Sequence, residues 1–293
     1  MEPLTIEHSS QVLKDTFSGE WTLIRASDCF VFTDGERVAK LERIPGRESQ
    51  LRNGLLSAVR AVEANVPAVS PLENELVETS IGPISLWPMV KHNTPVPKEF
   101  DKAHALALGI ALARCGQMTS DSAIRFNPWK EITQRVHESI TDLPVTELVA
   151  SVVKSAQKAL EIPSEDSWVM AHGDASARNV LCLENGWLLL IDFDYSGIYP
   201  KNWDLACVRH QLLRSYYNEE GYEGVLAGWE SVLGKVDSDD LDVLEFLAAL
   251  LATVFALTLE PTESRVKGII SRSHDMLEWL QTGVPPRRME QIV

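Results

Sequence analysis

The segment 168–206 constrains this 293-residue chain more than any other. It carries His172-Gly173-Asp174-Ala175-Ser176-Ala177-Arg178-Asn179, then Ile191-Asp192-Phe193-Asp194, then Asn202-Trp203-Asp204. Apolar runs at 168–171 and 187–191, bounded by glycine and polar residues, suit buried strands flanking a loop. A loop carboxylate at 174, an amide five residues later and a second carboxylate 18 residues on are the parts that a phosphoryl-transfer site needs. One carboxylate orients an attacking hydroxyl and accepts its proton, while the amide and the other carboxylate offer hard oxygens to magnesium. Asp174 must then face substrate and Asn179 the metal, so the chain between them has to turn.

The rest of the chain sorts into a small β-rich part and a larger helical one. Residues 21–41 combine β-formers with a Thr33-Asp34-Gly35 turn, which predicts a hairpin within an antiparallel sheet. Leu51, Leu55, Ala58, Val59 and Val62 recur at helical spacing, predicting a helix over 49–64 that Val66-Pro67 ends. Strand-like stretches at 75–78 and 84–90 complete the β-rich part, and Pro95 and Pro97 mark a boundary. Beyond it, helical periodicity covers 102–118, 128–140, 146–160, 204–218, 226–233, 241–259 and 266–282. The class expected is α+β.

Composition narrows the function. With 45% hydrophobic and 24% charged residues, the chain folds on a core of its own. Its longest charge-free apolar stretch, 246–259, is shorter than the roughly 20 residues that span a bilayer. The first residues lack a basic start and apolar run, and four widely spaced cysteines form no C-x-x-C pair; both point to a cytoplasmic protein with reduced thiols and no membrane partner. A formal charge of −15 argues against nucleic acid and permits a cationic partner. Residues 35–60 are locally basic, with six bases against three acids, whereas 215–245 hold nine acids against Lys235 alone. That acidic run is either a solvated surface or an attractor for cations.

The motifs at 172–179, 189–194 and 203–205, with lesser support from Val38-Ala39-Lys40-Leu41, resemble those of the aminoglycoside phosphotransferases and their choline-kinase-like and macrolide-kinase-like relatives. The resemblance implies a two-lobed protein-kinase-like fold, with a nucleotide-binding lobe over 1–90 and a catalytic and acceptor-binding lobe over 91–293. It implies Asp174 as catalytic base, and Asn179 and Asp192 as magnesium ligands. His172 would position the loop, Gly173 would permit its tight turn, and Trp203 and Asp204 would brace it. Asp194 could assist the metal or cap a turn; Arg178 could face phosphate or solvent.

Lys40, near a strand end, matches the lysine that pairs with nucleotide phosphates in this fold. The acid that would hold it is less evident, since the helix carries Asn53 and Gly54 near the usual glutamate position, and Glu48 is the nearest upstream candidate. The loop Arg25-Ala26-Ser27-Asp28-Cys29 lacks the glycines that usually line phosphates, which leaves Ser27 to supply an amide or hydroxyl. By resemblance, adenine would hang from backbone atoms near Met89 and Val90. The expected activity is magnesium-dependent transfer of the γ-phosphoryl group of ATP, or GTP, to a hydroxyl of a small cationic molecule such as an aminoglycoside or basic peptide. Choline, a macrolide or a sugar are alternative acceptors, and a non-catalytic nucleotide-binding module is the alternative of another class. The short interval from Asp192 to Trp203 leaves little room for a protein-kinase activation loop.

Overall fold

The computed structural model describes residues 5–26, 29–42, 47–92, 100–119, 124–139, 143–184, 187–289 and 292. It forms two compact units: the first comprises 1–94, 172–174 and 179–196, and the second the remainder. Segments 172–174 and 179–196 fall inside the lobe expected over 91–293, yet they pack with the first unit. Backbone bonds account for this, because Val69 N–H donates to Leu190 O at 3.0 Å and Leu190 N–H to Pro67 O at 2.8 Å.

The first unit opens with helix α1, Ile6–Phe17, which starts where the Thr5 hydroxyl accepts the His8 amide. Strands β1 (Thr22–Ala26), β2 (Cys29–Thr33), β3 (Arg37–Glu42), β4 (Val77–Thr79) and β5 (Gly82–Pro88) form one antiparallel sheet in the order β1-β2-β3-β5-β4. The expected turn lies between β2 and β3, where Gly35 takes φ 95°, a conformation open to glycine. Alternation along the strands divides the sheet into two faces. Phe30, Phe32, Ala39, Leu41, Ile84 and Leu86 point to an apolar core with Leu13 and Trp21. The other face carries Val31, Lys40 and Ser85, which stand opposite one another in register.

Helix α2, Glu48–Glu63, buries Leu51, Leu55, Ala58 and Ala61, in line with the apolar spacing of its sequence. A hairpin of β7 (Val180–Cys182) and β8 (Leu188–Leu190) completes the unit and leads into Asp192.

The second unit is mainly helical: α3 (Lys102–Cys115), α4 (Pro128–His137), α5 (Leu143–Ala159), α6 (Trp203–Arg209), α7 (Glu219–Leu233), α8 (Ser238–Leu257) and α9 (Glu263–Thr282). Strands β6 (Val169–Ala171) and β9 (Gly197–Tyr199) pair antiparallel within it. Glycines let α3 and α7 approach closely: a β-carbon on Gly109 would stand 2.0 Å from the Val225 carbonyl oxygen. Helix α8 is apolar nearly all round and buries Leu244, Phe246, Leu247, Leu250, Val254 and Leu257, as a central helix must.

Three helices differ from expectation, the first being α1, which was not anticipated from the sequence. The single helix anticipated over 204–218 is α6 followed by a π-helical turn, His210–Tyr216, which closes at Tyr217 in the left-handed region at φ 56°. Helix α7 begins seven residues before the expected 226, because Asn218 caps the Gly221 amide and Glu219 and Glu220 suit the positive end of the helix dipole.

Candidate active site

The site is built from the 172–174 loop, the turn after β8 and the Lys40 face of the sheet. His172 is fully buried, its Nε2 lies 2.9 Å from Ile191 O, and its ring packs on Phe193. That placement ties the loop to the strand leaving β8 and keeps the imidazole away from solvent. Gly173 takes φ 85°, which a side chain would strain. Asn179 Nδ2 donates to both the carbonyl and Oδ2 of Asp174, each at 2.9 Å, closing the turn that the spacing 174–179 requires. Asn179 Oδ1 and Asp174 Oδ1 are left without a partner among the described residues.

Asp192 sits at φ 67°, ψ 59°. A non-glycine residue in this region costs free energy, and such strain persists where surrounding contacts over-determine it. Here the contact is Lys40, whose Nζ donates to Asp192 Oδ1 and Asp194 Oδ2, each at 2.6 Å. Burial alone would lower the Lys40 pKa, but the two carboxylates overcome it and hold the ammonium charged. Burial would likewise raise Asp192; the Lys40 charge outweighs it and keeps that carboxyl below the usual range. Asp174 goes the other way. Its tip reaches solvent, but the protein crowded around it and the Asp192 charge push its pKa up to about 6. Two carboxylates in neighbouring positions therefore differ in proton affinity, Asp192 held ionised and Asp174 with its affinity raised.

The expectation for Glu48 is corrected. That residue is exposed in the first turn of α2, while the lysine is held by Asp192 and Asp194. Asp194, open between metal and turn cap from the sequence, is a lysine partner, and α2 serves it without an acid. Asn53 Nδ2 donates to the carbonyls of Asp194 at 3.1 Å and Ser196 at 2.8 Å, and Gly54 packs directly on Asp194. Asn53 and Gly54 were visible in the sequence only as a missing glutamate.

The other expected positions fall variously. Ser27 lies outside the described residues. The Met89 amide donates to Glu36 O at 2.7 Å and the Val90 carbonyl lies 2.7 Å from His92 Nδ1, so these two backbone groups already have partners. Arg178 is exposed, with its guanidinium 3.4 Å from the Tyr216 hydroxyl. Trp203 packs with Phe126 and Tyr199, and Asp204 is buried in the first turn of α6. Sequence reasoning missed Gln211, whose Oε1 accepts the Ala177 amide of the loop at 2.9 Å; nothing in the apolar pattern singles it out.

Among the described residues, no three of His, Cys, Asp and Glu converge on a metal position. A divalent cation here would rely on Asn179 Oδ1 and Asp192, supplemented by water or phosphate oxygens. The donors fit that role, being hard oxygens, and three carboxylates against one ammonium leave negative charge to neutralise.

The acidic run at 215–245 is partly spent within the second unit. Glu245 is fully buried between Arg209 and Arg214, and Asp242 pairs with Arg209.

No curated protein matches the sequence. Among solved structures, a choline/ethanolamine kinase family protein from Mesorhizobium loti superposes with a TM-score of 0.69 at 17% identity, over 93% of this chain and 94% of that one. An amicoumacin kinase, solved with AMP-PNP, calcium and amicoumacin, gives 0.68 at 13% identity over 90% and 89%. A spectinomycin phosphotransferase, solved with ADP and spectinomycin, gives 0.62 at 15% identity over 96% and 94%. These likenesses establish the protein-kinase-like fold. The model of the phosphotransferase enzyme family matches residues 27–247, well over half the length. With the lysine, the loop aspartate and the strand-end aspartate all inside that span, the chain belongs to the phosphotransferase enzyme family.

Proposed function

We propose that this phosphotransferase moves the γ-phosphoryl group of ATP, or GTP, to a hydroxyl of a small cationic molecule with magnesium as the metal. The observation that carries the proposal is the pairing of Lys40 with Asp192 at 2.6 Å, in the same unit as the hydrogen-bonded Asp174 and Asn179. Asp174 Oδ1 accepts the proton of the acceptor hydroxyl. That oxygen forms the new bond to phosphorus as the bond to the departing nucleoside diphosphate breaks, and the diphosphate leaves with the electron pair. Lys40 holds the carboxylate turn and meets phosphate oxygens. Asn179 and Asp192 would hold magnesium, which neutralises phosphate charge when bound. Most of the rate then comes from alignment and electrostatics.

The net charge of −15 and exposed Glu219, Glu220 and Glu223 favour a cationic acceptor, of aminoglycoside or basic-peptide type, which would make the protein a resistance enzyme. Choline or another amino alcohol is the second candidate, favoured by the likeness to a choline/ethanolamine kinase family protein. No helix among the described residues is long and apolar enough to cross a membrane. The free thiols of Cys29, Cys115, Cys182 and Cys207 suit a reducing, cytoplasmic setting.

Coupled release of the nucleoside diphosphate tests the proposal, with magnesium and ATP or GTP, across aminoglycosides, basic peptides, macrolides, choline and sugars. Stimulation by one class identifies the acceptor. Silence across the panel with nucleotide binding intact removes the resistance assignment and favours a non-catalytic module.

A further inference from the structure

The first strand holds a β-bulge with a consequence for the nucleotide site. Thr22 stands opposite Thr33 and Leu23 opposite Phe32, but the register then shifts, so that Arg25 faces Val31 and Ala26 faces Phe30. In an uninterrupted ladder Ile24 would face Val31, and Arg25 would face Phe30 on the apolar core side. One extra residue flips every side chain beyond it to the other face. The bulge therefore moves Arg25 off the core face and onto the face of Lys40. Register continues the row, with Arg25 opposite Val31, Val31 opposite Lys40 and Lys40 opposite Ser85. Neighbouring strands lie about 4.8 Å apart, which puts the Arg25 backbone two strands, or roughly 10 Å, from that of Lys40.

Arg25 is exposed and makes no hydrogen bond or ion pair among the described residues. Its charge nevertheless acts on both Asp174 and Asp192, favouring their ionised forms. Lys40, by contrast, gives two of its three N–H donors to carboxylates, which leaves one for phosphate. The stretch from Arg25 to Cys29 has no glycine through which backbone amides could approach phosphate closely.

We propose that Arg25 is a second phosphate-binding cation of the nucleotide site, presented by the β1 bulge in place of a glycine-lined loop. A guanidinium offers a rigid fork of donors that matches phosphate oxygens in pairs, and it keeps its charge at every working pH. Placed two strands beyond Lys40, it would hold the terminal phosphates and help to neutralise charge as transfer proceeds.

This inference rests on the nucleotide assignment above, and direct binding separates the two. Calorimetric titration of the full chain with Mg-ATP, Mg-ADP and adenosine compares wild type with Arg25→Ala and Arg25→Lys. An exposed side chain outside the core leaves folding intact on substitution. Arg25→Ala is expected to weaken Mg-ATP by about 10- to 100-fold while leaving adenosine within about twofold, and Arg25→Lys to recover part of the loss. Mg-ATP binding within about twofold of wild type in Arg25→Ala overturns the role of Arg25 alone, as does an equal loss for adenosine. Failure of the wild-type protein to bind Mg-ATP overturns the nucleotide assignment itself.

Discussion

Gly54 abuts Asp194 so closely that a β-carbon at position 54 would stand 2.2 Å from Asp194 Oδ1 and 3.1 Å from its Cα. The helix position where the fold usually places a glutamate for the lysine is thus filled by the backbone and carboxylate of another segment. Asp194 supplies the negative charge from the turn after β8, and Asn53 secures that turn to α2. A side chain at 54 would push against both the carboxylate and the backbone beneath it.

Gly54→Ala is therefore expected to destabilise the protein by about 1–3 kcal/mol and to lower turnover, since overpacking here displaces a lysine partner and not a passive neighbour. Denaturant unfolding and steady-state kinetics of the same preparation check both. Unchanged turnover would show that Asp194 moves without consequence.

Replacing the acids one at a time distinguishes the two candidates for the lysine. Asp194→Asn removes one of the two charges on Lys40 and is expected to cut kcat/KM by about tenfold or more. Glu48→Gln, on an exposed first turn, is expected to leave kinetics within about twofold and stability within about 0.5 kcal/mol. The reverse ranking would return the role to Glu48.

Asp174 accepts a proton only when ionised, and its pKa is raised to about 6 by the protein crowded around it and by the Asp192 charge. The metal-free protein should show this carboxyl titrating near pH 6 by NMR. Because a cation at Asp192 offsets the repulsion, magnesium should move the midpoint down. Activity should fall as pH drops through the midpoint of the loaded enzyme and be flat above it. Asp174→Ala should abolish turnover and spare nucleotide binding.

His210 is buried in the π-helical turn with neither ring nitrogen hydrogen-bonded among the described residues. Burial, aided by the positive charges of Arg272 and Arg214, pushes its pKa down to about 3 from an ordinary 6.5. The unfolded chain then binds a proton that the folded one refuses. Stability from the neutral ring is complete above about pH 6.5 and lost progressively as pH falls toward 3. His210→Leu removes that proton difference without orphaning a partner, so its stability should fall less steeply over this window. Parallel pH dependences of the unfolding free energy in the two proteins would refute the effect.

Local chemistry made much of the fold legible. Apolar spacing over Leu51, Leu55 and Ala58 marks α2, and the Thr33-Asp34-Gly35 turn marks the β2–β3 hairpin, because each depends on residues close in sequence. Among the three-residue strands, β6 and β8 lie in apolar runs that the sequence marked at 168–171 and 187–191, whereas β7 and β9 were not marked and only their pairing with those two strands defines them. The early start of α7 was missed for a related reason: its first turn is defined by the Asn218 cap and by acids, not by apolar residues. The π-helical turn was invisible because its departure from α-helical periodicity is a single residue.

In the candidate site, sequence by itself determined the candidate groups and their order: Lys40, Asp174, Asn179 and Asp192, with the amide five residues after the loop aspartate and so within reach of it. Tertiary structure alone decided which acid meets the lysine, which face Arg25 takes and how far apart the proton affinities of Asp174 and Asp192 are set. Each of these depends on groups from distant parts of the chain brought within a few ångströms. Coulomb and desolvation energies follow spatial distance and burial, neither of which is written in sequence spacing.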